Sequence, residues 1–502
     1  MAVPAPPVAR RVLVTGATGY IGGRLVPGLL DAGFQVRVLA RQPVKLTDRT
    51  WVARVEVVEG DAARPADVAA ALRGVDVAYY LLHSLAGGSS FAAEDRSIAQ
   101  AFAATAREVG VQRLVYLGGL VPPGAQDLSE HLRSRREVGE ILRASGVPTV
   151  ELRAAVIIGS GSASFEMLRY LTERLPAMTT PRWVRSRIQP IAVRDVLHYL
   201  LAAADLPATV NRAFDIGGPD VLTYADMMRR YAAVAGLRPR LILPVPVLTP
   251  GLSSHWVGLI TPVPASIARP LVESLRHEVV CHDRDIVAYV PDPPGGLIGF
   301  DEAVRRALTQ VREAAVDTRW SEASYPGTSA QPWPGDPDWT GGTLYRDVRE
   351  RVVHAPPASV WEVLDAIGGD QGWYSFPLAW WVRGAVDRAV GGVGLRRGRR
   401  NPDRLAVGDV VDFWRVEERL PASLLRLRAE MRLPGLAWLE FTLHGSGTQT
   451  VLRQRALFHP RGLAGQAYWK GVAPFHGIVF GSMIRNIAAA AEERAAASRP
   501  AS

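Results

Sequence analysis

The chain has 502 residues, which exceeds the size of one ordinary compact domain and favours two or three domains. Hydrophobic residues make up 48% of the chain and charged residues 21%, which excludes a disordered or collagen-like protein. The net charge is +9, but basic and acidic residues alternate through most of the sequence, so the charge does not indicate nucleic-acid binding. The single cysteine, Cys281, excludes an intrachain disulfide, and we expect a reducing, cytoplasmic location.

An apolar segment at residues 241–264 has to be weighed as a membrane span. It contains no Asp, Glu, Lys or Arg, but five prolines interrupt it. A spanning helix needs about 20 apolar residues with few interruptions. We interpret the segment as an apolar loop with a short helix that does not span a bilayer, and peripheral contact with a membrane stays an open alternative.

Residues 1–320 alternate short apolar runs with helix-like segments. The runs predict strands at 12–14, 35–39, 55–58, 77–82, 114–117 and 149–152, and the segments between them predict helices at 21–30, 65–72, 95–109 and 135–144. Short strands separated by helices are typical of an α/β fold with a Rossmann-type doubly wound parallel sheet.

A second domain follows a Pro-, Gly- and Trp-rich linker at residues 321–343. Apolar and charged residues alternate over 425–431, which is the period of a half-buried antiparallel strand. Neighbouring strands are expected at 411–416, 436–443 and 451–458, and helices at 357–367 and 478–496. The pattern predicts an α+β domain over residues 344–497.

The first strand leads into a glycine-rich turn. Gly16 allows a tight turn, Gly19 lets the backbone approach a diphosphate, and Gly22 allows close packing of helix on strand. The start of the following helix offers unpaired N–H groups and a positive dipole end to an anion. The turn therefore predicts a nucleotide site, and its candidate cofactor-binding residues are Gly16, Thr18, Gly19, Tyr20, Ile21 and Gly22.

The end of the second strand bears on the choice of cofactor. An NAD site usually has an acid about 20 residues beyond the turn, but residues 32–47 contain no Asp or Glu. Three cations occur there instead, Arg37, Arg41 and Lys45. Arg41 stands where a ribose 2′-phosphate would lie, which favours NADP, with NAD as the alternative.

These motifs together resemble the atypical or extended short-chain dehydrogenase/reductases of the NAD(P)H-binding, nucleoside-diphosphate-sugar-epimerase-like branch. The resemblance covers about residues 10–316 and includes Gly60-Asp61, where it implies that Asp61 binds the adenine. Typical members use a Tyr-x3-Lys pair, but His131 stands at the place of the tyrosine and Arg135 at that of the lysine. His131, Arg135 and His83 are therefore the candidate catalytic residues; the alternative is a scaffold that has lost the reaction.

The second domain resembles an uncharacterised bacterial domain related to the SRPBCC or START-like helix-grip fold. The resemblance rests on motifs such as Gly372-Trp373-Tyr374, Gly408-Asp409 and Phe413-Trp414-Arg415-Val416. It implies a sheet curled around a long helix and a cavity for a hydrophobic ligand, which the many tryptophans of the domain would suit. The same tryptophans could simply fill its core.

The sequence thus predicts an NAD(P)H-dependent oxidoreductase that acts on a hydrophobic small molecule such as a carbonyl or enone. The alternative is a non-catalytic NAD(P)H-binding redox sensor or assembly factor, which the missing tyrosine favours. A sugar-nucleotide epimerase is weaker for the same reason. No zinc-ligand spacing and no nucleic-acid recognition motif are present, so we expect neither a metal nor a nucleic-acid partner. The sequence does not indicate an oligomeric state.

Overall fold

The computed structural model describes residues 10–47, 49–82, 91–122, 124–125, 128–244, 263, 265–315, 344–368, 372–375, 405–431 and 433–497. The chain divides into two compact units, Met1–Gly342 and Thr343–Ser502. His83, the linker at 321–343 and most of the apolar segment at 241–264 lie outside the described residues. Among the helices that are described, none combines the length and the apolar character needed to cross a bilayer.

The first unit contains short strands that alternate with helices. Its strands in chain order are β1 (Arg11–Thr15), β2 (Gln35–Ala40), β3 (Glu56–Glu59), β4 (Val77–Tyr80), β5 (Arg113–Gly119), β6 (Thr149–Ala154), β7 (Ile157–Ile158), β8 (Ala177–Thr180), β9 (Arg187–Ile188), β10 (Ile191–Ala192), β11 (Arg212–Ile216), β12 (Leu222–Thr223) and β13 (Leu241–Pro244). Its helices are α1 (Tyr20–Asp31), α2 (Pro65–Leu72), α3 (Phe91–Glu108), α4 (Glu130–Arg143), α5 (Ala163–Arg174), α6 (Val193–Ala203), α7 (Tyr224–Val234), α8 (Ala265–Ser274) and α9 (Phe300–Ala315).

Seven of these strands form one parallel sheet in the order β11-β6-β5-β4-β1-β2-β3. Chain order reverses beside β1, because β2 lies on one side of it and β4 on the other. In an open parallel sheet, ligands bind outside the carboxyl ends of the strands at this reversal. The predicted Rossmann-type parallel sheet is therefore confirmed.

Helices cover both faces of the sheet, and the central strands β1 and β4 are accordingly buried on both sides. The apolar sides of α1 and α6 pack on one face, where Leu25 and Leu200 are fully buried. Helices α2, α3 and α4 cover the other face, where Phe102 and Leu142 are fully buried. A separate apolar core joins α5, α7, α8 and α9 beyond β6.

The helix predicted at 135–144 begins five residues earlier, at Glu130. Ser129 caps it, since its hydroxyl accepts a hydrogen bond from the Leu132 amide at 3.3 Å. The longer helix includes His131, which is half-buried in its first turn.

The second unit contains one antiparallel sheet in the order β14-β19-β18-β17-β16-β15. Its elements in chain order are β14 (Tyr345–Val353), α10 (Pro357–Asp365), β15 (Val410–Val411), β16 (Trp414–Leu420), β17 (Leu424–Ala429), β18 (Gly435–Ser446), β19 (Gln449–Pro460) and α11 (Gly462–Ala497). One face of the sheet packs against α10 and α11, with Leu427, Phe441 and Ile487 fully buried. The expectation of an antiparallel sheet with a C-terminal helix is met, and the strand β14 was not predicted.

Three details of the second unit differ from the sequence prediction. The helix expected at 478–496 begins sixteen residues earlier, at Gly462. The strand expected at 411–416 is two strands, because Asp412 adopts a φ of 54° and turns the chain between Val411 and Trp414. The charged face of β17 is not simply solvated: Arg426 is 1% exposed and forms an ion pair at 2.8 Å with Glu440, which is also 1% exposed. A buried charge needs such a partner, so this face holds a cross-strand ionic network.

Candidate nucleotide-binding site

The turn between β1 and α1 accepts only glycine at two positions. Gly16 has a φ of 70°, and a Cβ there would lie 2.6 Å from the Leu81 carbonyl oxygen. A Cβ on Gly22 would overlap the Gly16 carbonyl group. These close approaches hold the start of α1 against the end of β1, as a nucleotide-binding turn requires.

Gly19 stands at the N-cap of α1. Its amide donates to the Gly16 carbonyl at 2.9 Å, and Gly19 has no side chain that could cap the first helical turn. Uncapped amides and the positive end of the helix dipole form a site for an anion. The turn is also tied to the neighbouring strand, since the Thr15 hydroxyl donates to the Tyr79 carbonyl at 2.9 Å.

A cavity of about 390 Å³ opens beside this turn. It lies at the carboxyl ends of β2, β3 and β4 and is bounded by α3. Its lining residues are Gly16, Thr18, Leu39, Ala40, Arg41, Gln42, Lys45, Gly60, Asp61, Ala62, Tyr80, Leu82, Glu94, Asp95 and Ile98. The structure therefore brings together Gly16, Thr18, Arg41 and Asp61, four of the residues singled out in the sequence, at the place where the sheet order reverses.

Of the three cations near the end of β2, Arg41 and Lys45 line the cavity and Arg37 does not. The Arg37 guanidinium points to the other side of the strand. It donates to the Ala71 and Arg73 carbonyls, both at 2.8 Å, and pairs with Glu56 at 2.9 Å. Arg37 therefore caps the C-terminal end of α2, and the exposed cations at the cavity are Arg41 and Lys45.

Acidic side chains line other parts of the cavity. Asp61 is held on its turn because its carboxylate accepts from the Ala63 amide at 3.0 Å and its own amide donates to Asp67 at 2.8 Å. Glu94 and Asp95 come from α3. Sequence reasoning missed both, because the helical pattern does not show which face of α3 meets the carboxyl ends of the strands.

Gly19, Tyr20, Ile21 and Gly22 do not line this cavity. The ring of Tyr20 lies 4.0 Å from the guanidinium carbon of Arg24, and a Cβ on Gly159 would overlap the Tyr20 hydroxyl. The Tyr20 side chain thus packs between α1 and the loop that follows β7. This leaves the backbone of Tyr20 for contact with a nucleotide.

The candidate catalytic residues His131 and Arg135 are one turn apart on α4. The Arg135 guanidinium donates to the Leu117 carbonyl and lies 5.2 Å from the ring centre of Tyr116. Arg135 therefore ties α4 to the end of β5, beside Gly118 and Gly119. Burial raises the pKa of Tyr116 to about 12, so this phenol stays protonated at neutral pH.

A polar contact that the sequence did not reveal lies at the start of α4. The Ser129 hydroxyl is 3.0 Å from the Ser274 hydroxyl at the end of α8, and the Ser129 amide donates to Nε2 of His277 at 3.3 Å. The end of α8 thus meets the helix turn that carries His131. Across the described ranges, no cluster of three or more His, Cys, Asp or Glu side chains could hold a metal ion.

The geometry fits a nicotinamide dinucleotide. The uncapped start of α1 suits a diphosphate, and the adjoining cavity has polar and apolar walls that suit an adenosine. Because Gly16 and Gly22 lack a Cβ, the turn packs tightly and its backbone can come close to a ligand.

Comparison with known proteins agrees with this geometry. Residues 16–169 match the family described as NAD(P)H-binding, and residues 339–483 match a family described as a protein of unknown function (DUF2867). The chain is 30% identical over 300 residues to the ceramide reductase of Caulobacter vibrioides, covering 58% of this chain and 93% of the relative. It is 28% identical over 292 residues to the (4-alkanoyl-5-oxo-2,5-dihydrofuran-3-yl)methyl phosphate reductase of Streptomyces griseus subsp. griseus, covering 57% and 93%.

Among solved structures, the Citrobacter sp. triphenylmethane reductase complexed with NADP(H) is similar at a TM-score of 0.47 and 19% identity, covering 59% of this chain and 99% of that chain. The match to the ceramide reductase extends over nearly the whole of that reductase. Through its first unit, this chain belongs to the NAD(P)H-binding, epimerase-like reductases of the short-chain dehydrogenase/reductase type.

Proposed function

We propose that the protein is an NADPH-dependent reductase that acts on a carbonyl or enone group of an apolar small molecule. The observation that carries the choice of NADPH is the cavity beside the glycine turn, which has Arg41 and Lys45 on its wall. A 2′-phosphate is a dianion that a planar guanidinium binds with two hydrogen bonds. The end of β2 has no acid that would bind a free 2′-hydroxyl instead.

Different residues of the first unit bind the diphosphate, the 2′-phosphate and the adenine of the coenzyme. The first turn of α1, from Gly19 onward, holds the diphosphate through its amides, and Thr18 lies beside it. Arg41 and Lys45 hold the 2′-phosphate, and Asp61 accepts a hydrogen bond from the adenine amino group. When bound, the dihydronicotinamide supplies a hydride.

Reduction of a carbonyl also needs a proton at the substrate oxygen. We assign this proton to His131, because a histidine titrates near neutral pH and the start of α4 is where the family places its acid. Arg135 acts through its contact with the Leu117 carbonyl, which holds α4 in place. Arg135 is thus a positioning residue. His83 is the second candidate for the proton donor.

The substrate is proposed to be apolar. Two relatives that support this are named a ceramide reductase and a (4-alkanoyl-5-oxo-2,5-dihydrofuran-3-yl)methyl phosphate reductase. We further propose that the second unit is a helix-grip domain that binds a hydrophobic ligand. Its buried aromatic cluster of Trp373, Phe413 and Trp414, with ring centres 5.7 to 6.3 Å apart, supports this role.

The test is coenzyme oxidation by the full chain against a panel of ketones, enones and quinones, each with and without a long acyl chain. We expect turnover with NADPH, and a preference for the acylated member of each pair. His131→Ala is expected to lose turnover while NADPH binding is kept. His198→Ala, whose ring contacts the Pro291 carbonyl on the surface, is the matched control and keeps both. NADPH binding without turnover on any compound would contradict the reductase and favour a redox sensor.

A further inference from the structure

The C-terminal helix α11 has two halves with different surroundings. It is 36 residues long. In its second half, Met483, Ile484 and Ile487 are buried in the core of the second unit. In its first half, Phe475 is 63% exposed, Ile478 64% and Leu463 48%. Large apolar side chains this exposed, on one helix, need an explanation.

These residues form a continuous stripe. Positions 463, 467, 471, 474 and 478 are spaced by three or four residues and hence lie on one face of the helix. They are occupied by Leu463, Ala467, Gly471, Pro474 and Ile478, with Phe475 alongside. We call this face the outer stripe.

The opposite face of the same segment already has its partners. Trp469 stacks on Tyr345 of β14 with ring centres 5.2 Å apart, and on Phe458 of β19 at 5.8 Å. The segment is therefore apolar on both sides. A helix that is apolar all round is normally buried, yet among the described residues nothing covers the solvent side of the outer stripe.

The charged side chains that the helix itself contributes to this segment have one sign. From Gly462 to Ala491 the helix contains no Asp or Glu. Lys470 lies within the stripe, and Arg461 and Arg485 lie before and after it; all three are exposed. Exposed apolar side chains flanked by cations are typical of helices that lie in the interface of an anionic membrane.

A second copy of the chain fits this face less well. A two-fold axis through the middle of the stripe, near Gly471, would place Lys470 of one copy beside Lys470 of the other. In such an isologous contact the like charges would meet at the centre of an apolar interface, which is unfavourable. An anionic bilayer surface satisfies both the apolar side chains and the cations.

We propose that the outer stripe docks the protein on an anionic lipid surface, with Phe475, Ile478 and Leu463 inserted among the acyl chains and the cations at the headgroups. This inference is independent of the proposed reductase activity, because it rests on the second unit alone.

The experiment is co-sedimentation of the full chain with vesicles of phosphatidylcholine alone or mixed with phosphatidylglycerol. We expect binding to the anionic vesicles, weaker binding to the neutral ones, and a decrease with added salt. F475D combined with I478D is expected to lower the partition coefficient about tenfold or more, because two apolar side chains that insert into the lipid are lost. Lys470→Glu, which leaves the apolar residues in place, should lower binding to anionic vesicles alone.

The matched control is V348D combined with V352D on β14, since these valines are also exposed, at 50% and 52%, and lie on the same unit. It is expected to bind vesicles like the unaltered protein. Unchanged thermal unfolding of each variant shows that it is folded. No binding of the unaltered protein to anionic vesicles, or equal binding by F475D/I478D, would overturn the proposal. So would a dimer that F475D/I478D abolishes in the absence of lipid.

Discussion

Arg41 offers the sharpest test of how the chain selects its coenzyme. Its side chain is exposed on the wall of the cavity. A charge-assisted hydrogen bond to a phosphate contributes about 1.5–3 kcal/mol, and exposure to solvent reduces this to about 1–2 kcal/mol. Since about 1.4 kcal/mol is a factor of ten in affinity, Arg41→Ala should raise the Kd for NADPH about fivefold to thirtyfold. NADH lacks the 2′-phosphate, so its Kd should change less than about twofold.

The assay is isothermal titration of the full chain with each coenzyme at low and at high salt. The NADPH preference should also shrink with added salt, because the contact is exposed. Arg54→Ala is the control, since Arg54 is exposed on the same unit but pairs with Asp31 away from the cavity, at 3.4 Å. Equal losses for NADPH and NADH, or no loss for either, would refute the assignment of Arg41 to the 2′-phosphate.

Further predictions concern stability and reactivity. Gly16→Ala should lower the free energy of unfolding by about 3 kcal/mol or more, because the new Cβ would collide with the backbone of Leu81. Gly33 has a φ of 87° but open space around it, so Gly33→Ala should cost only about 1 kcal/mol. Thermal unfolding of both variants measures the difference. Glu440→Gln should destabilise the second unit by about 3 kcal/mol, since it removes a buried carboxylate charge that pairs with both Arg426 and Arg455. Glu350→Gln, in an exposed pair, should cost less than about 1 kcal/mol, and equal chemical-denaturation midpoints would contradict this. Burial raises the pKa of the Cys281 thiol to about 12. A thiol-reactive disulfide reagent at about pH 8 should therefore label Cys281 slowly in the folded protein and rapidly after unfolding. Rapid labelling of the folded protein would show that the thiol is not shielded.

The sequence predicted the elements whose pattern is strictly local. The predicted bounds of β1 and α1 agree with the structure within one residue at each end. Apolar runs and glycines determine these elements through local backbone geometry. The strand at 411–416 was wrong, because the residue that breaks it, Asp412, is not a glycine and adopts a positive φ through its context. Strand β14 was missed because seven of its nine side chains are charged or exposed, and it is held by pairing with the distant strand β19.

The candidate site was predictable only in part, for a similar reason. The cations after β2 could be identified by type, but whether each side chain reaches the cavity depends on packing. Arg37 and Arg41 are four residues apart, yet only Arg41 lines the cavity. The contributions of Glu94 and Asp95 depend on the face that α3 turns towards the sheet, which the sequence alone does not specify.

The central claim is that the first turn of α1 binds the diphosphate of a nicotinamide dinucleotide. Isothermal titration of the unaltered full chain with NADPH tests it most directly. The account predicts a saturable isotherm with one NADPH per chain, together with slower exchange of the backbone amides at residues 16–22. A folded protein that releases no heat with either reduced coenzyme, and whose turn amides exchange at an unchanged rate, would contradict it.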